Sequence, residues 1–247
     1  MSGHSKWAGI KHKKAIIDAK RGKVFTRIGR ELTIAAKQGG NPESNARLRK
    51  AIEDAKAANM PTDNIKKAIQ RGTGELPGVT YEEFIYEGYG PCGVAVMIEI
   101  TTDNKNRTHS EIRKTFSSHG GNLGDTGCVG WMFQPKGYMV VEKSKVKEDE
   151  LMNVAIDSGA DDVKSDDESV YEIFTAAADF EKVKKALLDK KIPIETAENT
   201  MVPSTYIKLE GNDARKMIEL ADELEENDDV KNVYSNFEIL NAEQTQN

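Results

Sequence analysis

Two histidines and two acidic residues that could ligate a metal ion lie within a short stretch of the chain. His109 and His119 stand near Asp103 and Glu111, and imidazole and carboxylate groups are common ligands of transition metals. Their spacing does not match H-E-x-x-H or a related metal motif. We therefore expect both histidines to be surface residues of a helix, and we predict no metal site.

Other features could support catalysis or phosphate binding. Cys92 and Cys128 could act as nucleophiles, but no base is near either of them in the sequence, which favours small core residues. The glycine-rich residues 120–127 lack the Gly-Lys-Ser/Thr ending of a phosphate loop and follow a helical pattern instead of preceding one. The acidic run at residues 223–229 is typical of a solvated face. We predict a protein that is not an enzyme and takes no cofactor.

Basic residues near the N-terminus form the strongest chemical signal. Lys23, Arg27 and Arg30 recur at i, i+4 and i+7, so they project from one helix face. Guanidinium groups bind phosphates bidentately, ammonium groups act as point charges, and aromatic rings stack on exposed bases. The residues that we predict to bind nucleic acid are Lys6, Trp7, Lys11, His12, Lys13, Lys14, Lys20, Arg21, Lys23, Arg27 and Arg30.

Charge is distributed unevenly along the 247 residues. Residues 1–72 carry 17 basic and 6 acidic side chains, a net charge of +11. The remaining residues carry 18 and 35, a net charge of −17, although the whole chain has only −6. Such asymmetry indicates that the basic part binds a polyanion. The alternative is a solvated basic face, with Trp7 docked on its own domain.

Composition excludes several classes of protein. Hydrophobic residues make up 38% and charged residues 31%, as in a soluble globular protein. The longest apolar run, residues 93–98, is far shorter than the roughly 20 residues of a membrane span. No apolar segment follows the basic N-terminus, so no secretory signal is expected. With two cysteines and no disulfide framework, the predicted compartment is the cytoplasm.

The elements that must position the basic residues are helices. An apolar repeat predicts a first helix that ends before the glycines at 39 and 40. Asn41 as N-cap with Pro42 next predicts the start of a second helix, and Pro61 opens a third. Because these helices have few large apolar residues, we expect a thin core that leans on a neighbouring domain. Residues 1–78 are the predicted basic arm and helical domain.

The rest of the chain alternates strand and helix patterns. A Thr-x-x-Glu capping box at residues 108–111 predicts the start of a helix, and residues 129–133 are predicted to be a strand. Residues 135–202 have the β-α-β-β-α-β order of a ferredoxin-like unit. Residues 79–134 and 203–241 are incomplete halves, which we expect to join into a second, discontinuous ferredoxin-like domain. The predicted fold class is α+β, with a small three-helix domain and two ferredoxin-like domains, one inserted into the other.

Short motifs spread along the whole chain carry a family resemblance. They are GHSKWAGIKHKK at residues 3–14, KRGK at 20–23, FTR at 25–27, NMP at 59–61, YEGYGP at 86–91, TDNKNRT at 102–108, HGGNLG at 119–124 and WMF at 131–133. With these motifs the chain resembles the YebC/PmpR family. Cys92 and Cys128 depart from the family pattern, which has a glycine and another small residue there, and these departures concern local turn geometry.

The resemblance implies a non-enzymatic cytoplasmic protein with a helical N-terminal domain and two α/β domains. Members are generally described as DNA-binding transcriptional regulators. Others, including the mitochondrial translational activator of cytochrome oxidase, act on translation at the ribosome.

Two functions therefore remain open. A transcriptional regulator would bind duplex DNA through the arm and first helix, although no helix-turn-helix spacing is evident. A ribosome-associated translation factor would contact rRNA with the same arm, while its acidic body contacts basic ribosomal proteins. The expected partner is duplex DNA or rRNA, with the ribosome as a further candidate; no membrane and no small-molecule substrate are inferred.

Overall fold

A computed structural model describes residues 21–239 of the chain. Seven of the eleven predicted nucleic-acid-binding residues, at positions 6–20, lie outside the described residues. The described residues form two compact units. The first unit comprises residues 21–126 and 216–233, and the second comprises residues 127–215 and 234–239. No helix between residues 21 and 239 combines the length and the apolar character needed to cross a bilayer.

Helices and strands alternate after three initial helices. Among residues 21–239 the helices are α1 (Arg21–Ala36), α2 (Ala46–Ala57), α3 (Thr62–Thr73), α4 (Lys105–Ser118), α5 (Glu148–Ser158), α6 (Phe180–Asp189) and α7 (Gly211–Glu226). The strands are β1 (Glu82–Tyr89), β2 (Ala95–Thr102), β3 (Asn122–Leu123), β4 (Phe133–Glu142), β5 (Ala160–Lys164), β6 (Val170–Ala176), β7 (Thr196–Pro203), β8 (Ile207–Leu209), β9 (Val230–Ser235) and β10 (Phe237–Ile239). The α+β fold class with three N-terminal helices is confirmed.

The three N-terminal helices share a core of small and medium-sized side chains. Leu32, Leu48, Met60 and Ile65 are its larger buried members, and five alanines complete the contacts between the helices. Thr33 donates hydrogen bonds to the carbonyls of Gly29 (2.8 Å) and Ala68 (3.2 Å), which links α1 to α3. The core is thin because alanine buries little apolar area.

The second helix begins later than the sequence predicted. Asn45, not Asn41, is its N-cap, because the Asn45 Oδ1 accepts a hydrogen bond from the Leu48 amide (3.0 Å). The Asn45 Nδ2 donates to the carbonyls of Ala35 (2.7 Å) and Gly39 (2.8 Å). This one amide caps α2 and fastens the end of α1. Asn41 instead accepts from the Glu43 amide in the preceding turn.

The first unit contains a four-stranded sheet in the order β3-β1-β2-β9. β1 pairs antiparallel with β2 from Glu82 opposite Thr102 to Tyr89 opposite Ala95. β9 comes from a part of the chain more than a hundred residues further on, and the Thr101 amide next to it donates to the Asp229 carbonyl (2.7 Å). The helix α4 begins after Asn104, whose side chain accepts from the Arg107 amide (3.1 Å). The predicted capping box at Thr108 is therefore wrong, and Thr108 lies inside the helix.

The second unit has the strand order β5-β6-β4-β7 with every neighbouring pair antiparallel. Numbered along this unit the order is 2-3-1-4, which is the ferredoxin-like arrangement. Alternate residues of β4 and β6 point to opposite faces. Met139, Val141 and Ile173 pack with α5 and α6, whereas Tyr138 and Phe174 lie in a separate cluster.

The segment before β4 differs from the prediction. Residues Gly130–Met132 form a short 3-10 helix, and the strand begins only at Phe133, from which it continues without interruption to Glu142. The predicted domain boundary between residues 134 and 135 thus falls inside β4. Strands β8 and β10 pair in parallel as a separate two-stranded sheet. The domain ranges 1–78, 79–134 with 203–241, and 135–202 stay predictions.

Candidate nucleic-acid interface

Four of the predicted nucleic-acid-binding residues lie within the described chain, all on α1. Arg21 is the first residue of the helix, and Lys23, Arg27 and Arg30 follow along it. The predicted cations at positions 6, 11, 13, 14 and 20, with Trp7 and His12, lie outside the described residues. The helical face with i, i+4 and i+7 spacing is thus the part of the candidate interface whose geometry can be given.

The three cations on this face contact the end of α7 and the residues that follow it. Lys23 Nζ donates to the carbonyl of Glu226 (2.5 Å), and Arg27 Nη2 donates to the carbonyl of Glu225. Arg30 donates to the Asp228 carbonyl and forms an ion pair with Asp229 (Nη1 to Oδ1, 3.0 Å). The last carbonyls of a helix lack intrahelical partners and carry partial negative charge. Cations from α1 therefore cap the C-terminus of α7.

Burial affects the central cation of this face. It lowers the pKa of the Arg27 guanidinium from the ordinary arginine value, while the nearby charges of Glu225 and Asp228 act in the opposite direction. A crevice of about 30 Å³ lies beside Arg27 and Arg30 and is lined on its other side by Asp228 and Asp229. Its volume suits a single water and is much too small for a nucleobase. The contact is therefore one of charge and hydrogen bonding without a base-binding pocket.

Asp229 has several hydrogen-bond and ion-pair partners in this region. It is only 3% exposed. Its Oδ2 accepts from Thr108 Oγ1 (2.5 Å), Arg107 Nη2 (2.7 Å) and Thr102 Oγ1 (3.0 Å). Burial raises the pKa of the Asp229 carboxyl, but hydrogen bonds from these three residues and the charge of Arg30 outweigh burial, so the pKa lies below its ordinary value. The buried carboxylate is stable because donors surround it.

A second ionic network lies near the first. Arg47 binds both oxygens of Glu31 (2.7 and 3.1 Å) and both oxygens of Glu83 (2.9 and 2.6 Å). Lys231 of β9 approaches Glu31 at 2.9 Å. Burial raises the pKa of the Glu31 carboxyl, and the hydrogen bonds from Arg47 and Lys231 lower it by more. The first network joins α1 to β2 and α4 through Asp229, and the second joins α1 and α2 to β1 and β9. These contacts give the three helices the outside support that their thin core leads us to expect.

The two histidines considered as metal ligands make ordinary structural contacts. His119 Nδ1 lies 3.0 Å from the carbonyl of Thr115, and the His109 ring packs edge-on against Tyr86. Within residues 21–239 no group of three or more histidine, cysteine or acidic side chains is arranged to hold a metal ion. Cys92 adopts a left-handed backbone with φ of 58° in the turn between β1 and β2.

One further buried ionisable pair lies in the second unit. The Tyr138 hydroxyl donates to Glu172, and both residues are nearly inaccessible. Burial and the charge of Glu172 raise the pKa of Tyr138 above its ordinary value. Burial, Glu172 and Glu238 raise the pKa of Tyr206 to about 12. Both phenols stay neutral at physiological pH, and Tyr138 donates to an acid that the sheet buries.

Several residues that shape the interface gave no local signal in the sequence. Arg107 and Thr102 belong to the TDNKNRT motif but show no periodic relation to α1. Asp229 belongs to the acidic run at residues 223–229, which the sequence predicts to be solvated. The prediction is wrong for Asp229, because donors from β2, α1 and α4 converge on it. The only sequence feature that could have indicated these residues is that they belong to a family motif or to the acidic run.

These features define an α+β protein in which a cationic helix is docked on an acidic segment from the far end of the same chain. Two family models match the sequence: the TACO1/YebC protein N-terminal domain over residues 5–75, and the TACO1/YebC second and third domain over residues 81–237. The chain belongs to the TACO1/YebC family.

Curated relatives and a solved structure resemble nearly the whole chain. A protein of Endomicrobium trichonymphae named "Probable transcriptional regulatory protein" is 61% identical, with 97% of this chain and 96% of the relative covered. A protein of Pelotomaculum thermopropionicum with the same name is 60% identical, with 97% and 99% covered. The crystal structure of a conserved hypothetical protein from Aquifex aeolicus has a TM-score of 0.82 at 49% identity, covering 98% of this chain and 100% of that one.

Proposed function

We propose that the protein is a non-enzymatic, cytoplasmic regulator of transcription that binds DNA through its basic N-terminal arm and first helix. The observation that carries the proposal is the net charge of +11 on residues 1–72 beside −17 on the remainder. A duplex carries a dense row of phosphates, and a basic segment binds it by releasing condensed counterions. The names of the relatives at 61% and 60% identity support the regulatory role.

Three of the predicted cations are already bound within the protein. Lys23, Arg27 and Arg30 are bound to oxygens of the α7 end, so they are not the first groups that an approaching phosphate meets. We assign the first contact to the arm, with the cations Lys6, Lys11, Lys13, Lys14, Lys20 and Arg21 and the stacking residues Trp7 and His12. Each phosphate that the arm neutralises steepens the salt dependence of binding by roughly 0.9 in log-log slope for duplex DNA.

The second candidate is a translation factor that contacts rRNA on the ribosome with the same arm. The acidic remainder of the chain favours it, because a net charge of −17 over residues 73–247 repels nucleic acid and attracts the basic proteins of a ribosome. Both candidates need a nucleic-acid partner and neither needs a membrane or a small-molecule substrate. The two candidates differ in which partner the protein binds when duplex DNA and the ribosome compete for it.

Co-sedimentation with ribosomes at physiological salt, with increasing duplex DNA as competitor, separates the two candidates. Retention on ribosomes against excess DNA would establish the translation factor and overturn the transcriptional proposal. Removal by DNA, combined with direct binding to the duplex, supports the transcriptional regulator. Binding to neither partner would refute both.

Charge-reversal variants identify the contact surface in the same assay. The double change Lys13→Glu and Lys14→Glu should abolish binding, because it replaces two attractive charges with two repulsive ones. The matched control is Lys182→Glu with Lys185→Glu on α6, where both lysines are exposed and the net charge changes equally. Equal binding by the two double variants would show that the arm is not the contact surface.

A further inference from the structure

The acidic segment, residues 223–229, offers α1 the same kind of acceptor that a nucleic-acid backbone offers. Five of its seven residues are acidic: Glu223, Glu225, Glu226, Asp228 and Asp229. The cations of α1 bind oxygen atoms there, three of them carbonyl oxygens at or just after a helix C-terminus and one a carboxylate oxygen. Phosphate oxygens are bound by lysine and arginine through the same charge-assisted hydrogen bonds.

The contacts that α1 makes with the acidic segment differ in their exposure to solvent. Lys23 binds the carbonyl of Glu226 in an exposed contact, and the Asp228 side chain is exposed, whereas the Arg30 side chain is only 14% exposed. Exposed charge contacts contribute little to stability and exchange readily with solvent ions. A polyanion can therefore replace the exposed contact of Lys23 at low cost.

Asp229 anchors the same segment independently of α1. If Arg30 leaves, the carboxylate still accepts from Thr102, Thr108 and Arg107, and its own carbonyl still accepts from the Thr101 amide. The segment can therefore lose its contacts with α1 while it stays attached to β2 and α4. This arrangement allows a reversible exchange of partners on α1 without unfolding.

We propose that the acidic segment occupies the cationic face of α1 in the free protein, and that nucleic acid competes with it for Lys23, Arg27 and Arg30. The inference rests on the proposed nucleic-acid binding and adds its regulation. Binding then proceeds from the arm, which makes the first contact, to α1, whose cations exchange peptide and carboxylate oxygens for phosphate oxygens. The competition weakens binding to weakly charged partners and leaves binding to dense polyanions possible.

The test measures the affinity of full-length variants for a mixed-sequence DNA duplex and for purified rRNA. Asp228→Asn removes a charge that acts on Arg27 and leaves the backbone carbonyl in place. It should tighten binding by about 1.5-fold to 5-fold, the range that one exposed ion pair contributes. The matched control Asp166→Asn removes an exposed charge from the loop before β6 and should bind like the unmodified protein. Lys23→Gln should weaken binding, because Lys23 belongs to the shared face.

Hydrogen exchange supplies a readout that does not depend on affinity. Amides of residues 21–36 and 223–230 should change their exchange rates when the unmodified protein is saturated with nucleic acid, with faster exchange in the acidic segment. If Asp228→Asn and Asp166→Asn bind equally and the segment does not respond, the competition is refuted while nucleic-acid binding stands. If the unmodified protein binds neither duplex nor rRNA, the proposed function and the competition both fail.

Discussion

At the scale of single residues, the carboxylate of Asp229 joins three elements of the first unit. Its donors come from α1 (Arg30), β2 (Thr102) and α4 (Arg107 and Thr108). A buried charge is costly when it is unpaired, and removing one partner of a buried pair is more damaging than removing both. The stability of the first unit should therefore be sensitive to changes at this position.

Replacing Asp229 with asparagine keeps the shape of the side chain and removes its charge. We expect Asp229→Asn to lower the free energy of unfolding by about 3 kcal/mol, at the lower end of the range for a broken buried pair, because Arg107 is partly exposed. Urea denaturation followed by circular dichroism measures the change. As a control, Asp54→Asn removes an exposed i,i+4 pair with Lys50 and should cost about 0.3–0.5 kcal/mol.

The same carboxylate makes a prediction about pH. The pKa of Asp229 is lowered in the folded protein, so its ionised form contributes stability at any pH above the unfolded value, and that contribution is lost as pH falls through the folded pKa. The difference in stability between the unmodified protein and Asp229→Asn should be constant near neutral pH and shrink below about pH 4. A difference that is the same at every acidic pH would mean that the Asp229 charge is not involved.

At the scale of elements, α1 and α3 cross closely enough that a glycine is required. A Cβ at Gly72 would lie 2.3 Å from the Thr33 carbonyl oxygen and 2.6 Å from the Ala36 Cβ. Neither neighbour can move away easily, since one is backbone and the other a buried alanine. The crossing therefore depends on the absence of a side chain at this one position of α3.

Alanine substitutions at two helical glycines should have opposite effects. We expect Gly72→Ala to destabilise the protein by about 1–3 kcal/mol through overpacking. Gly29→Ala, in the middle of α1 with nothing within 4 Å of the added Cβ, should stabilise it by about 0.5–1 kcal/mol, because alanine loses less backbone entropy in a helix. Thermal denaturation of the two variants measures these changes in stability. A change in melting temperature of the same sign in both variants would contradict the crossing geometry.

The sequence predicted the elements better than their first residues. Apolar periodicity located the helices and strands, because burial on one face depends only on the local repeat. Helix starts were wrong at Asn41 and Thr108, since each lies within a few residues of another side chain that can cap, Asn45 and Asn104. Which of them caps depends on tertiary contacts, such as the bonds from Asn45 to the end of α1, that no local pattern contains.

For the candidate site, the sequence predicted the cationic face of α1 but not what covers it. The partners of Lys23, Arg27 and Arg30 lie about 200 positions away along the chain. Charge runs carry no information about register between distant segments, so a basic face and an acidic run each look solvated when they are read alone. The nucleic-acid-binding role of the arm stays a prediction.

At the scale of the whole molecule, the core of the second unit is continuous in sequence, whereas the first sheet is not. Every member of the larger cluster in the second unit lies between Met139 and Ala197. The ladder between its outer strands runs from Phe133 opposite Pro203 to Val140 opposite Thr196. In contrast, β2 needs β9 as its neighbour, and β9 is contributed by the far end of the chain.

We therefore expect residues 133–203 to fold alone and residues 79–126 not to. The shorter piece 135–202 would lose the first two residue pairs of the ladder and should be less stable. Circular dichroism and a thermal melt measure both outcomes. A cooperative transition for residues 79–126 would contradict the discontinuous organisation, and the absence of one for 133–203 would contradict the independence of the second unit.

The antiparallel pairing of β4 with β7 also determines how the second unit responds to mechanical force. The chain enters at Phe133 and leaves at Pro203, which are opposite each other in the ladder, and just outside them the Ser204 amide donates to the Met132 carbonyl (2.8 Å). Tension applied through these two points acts along the interstrand hydrogen bonds, which lie perpendicular to the strands. The bonds then break one after another, as in a zipper, and not all together. Tension applied between Phe133 and Pro203 would therefore open this unit at low force, beginning at those two residues.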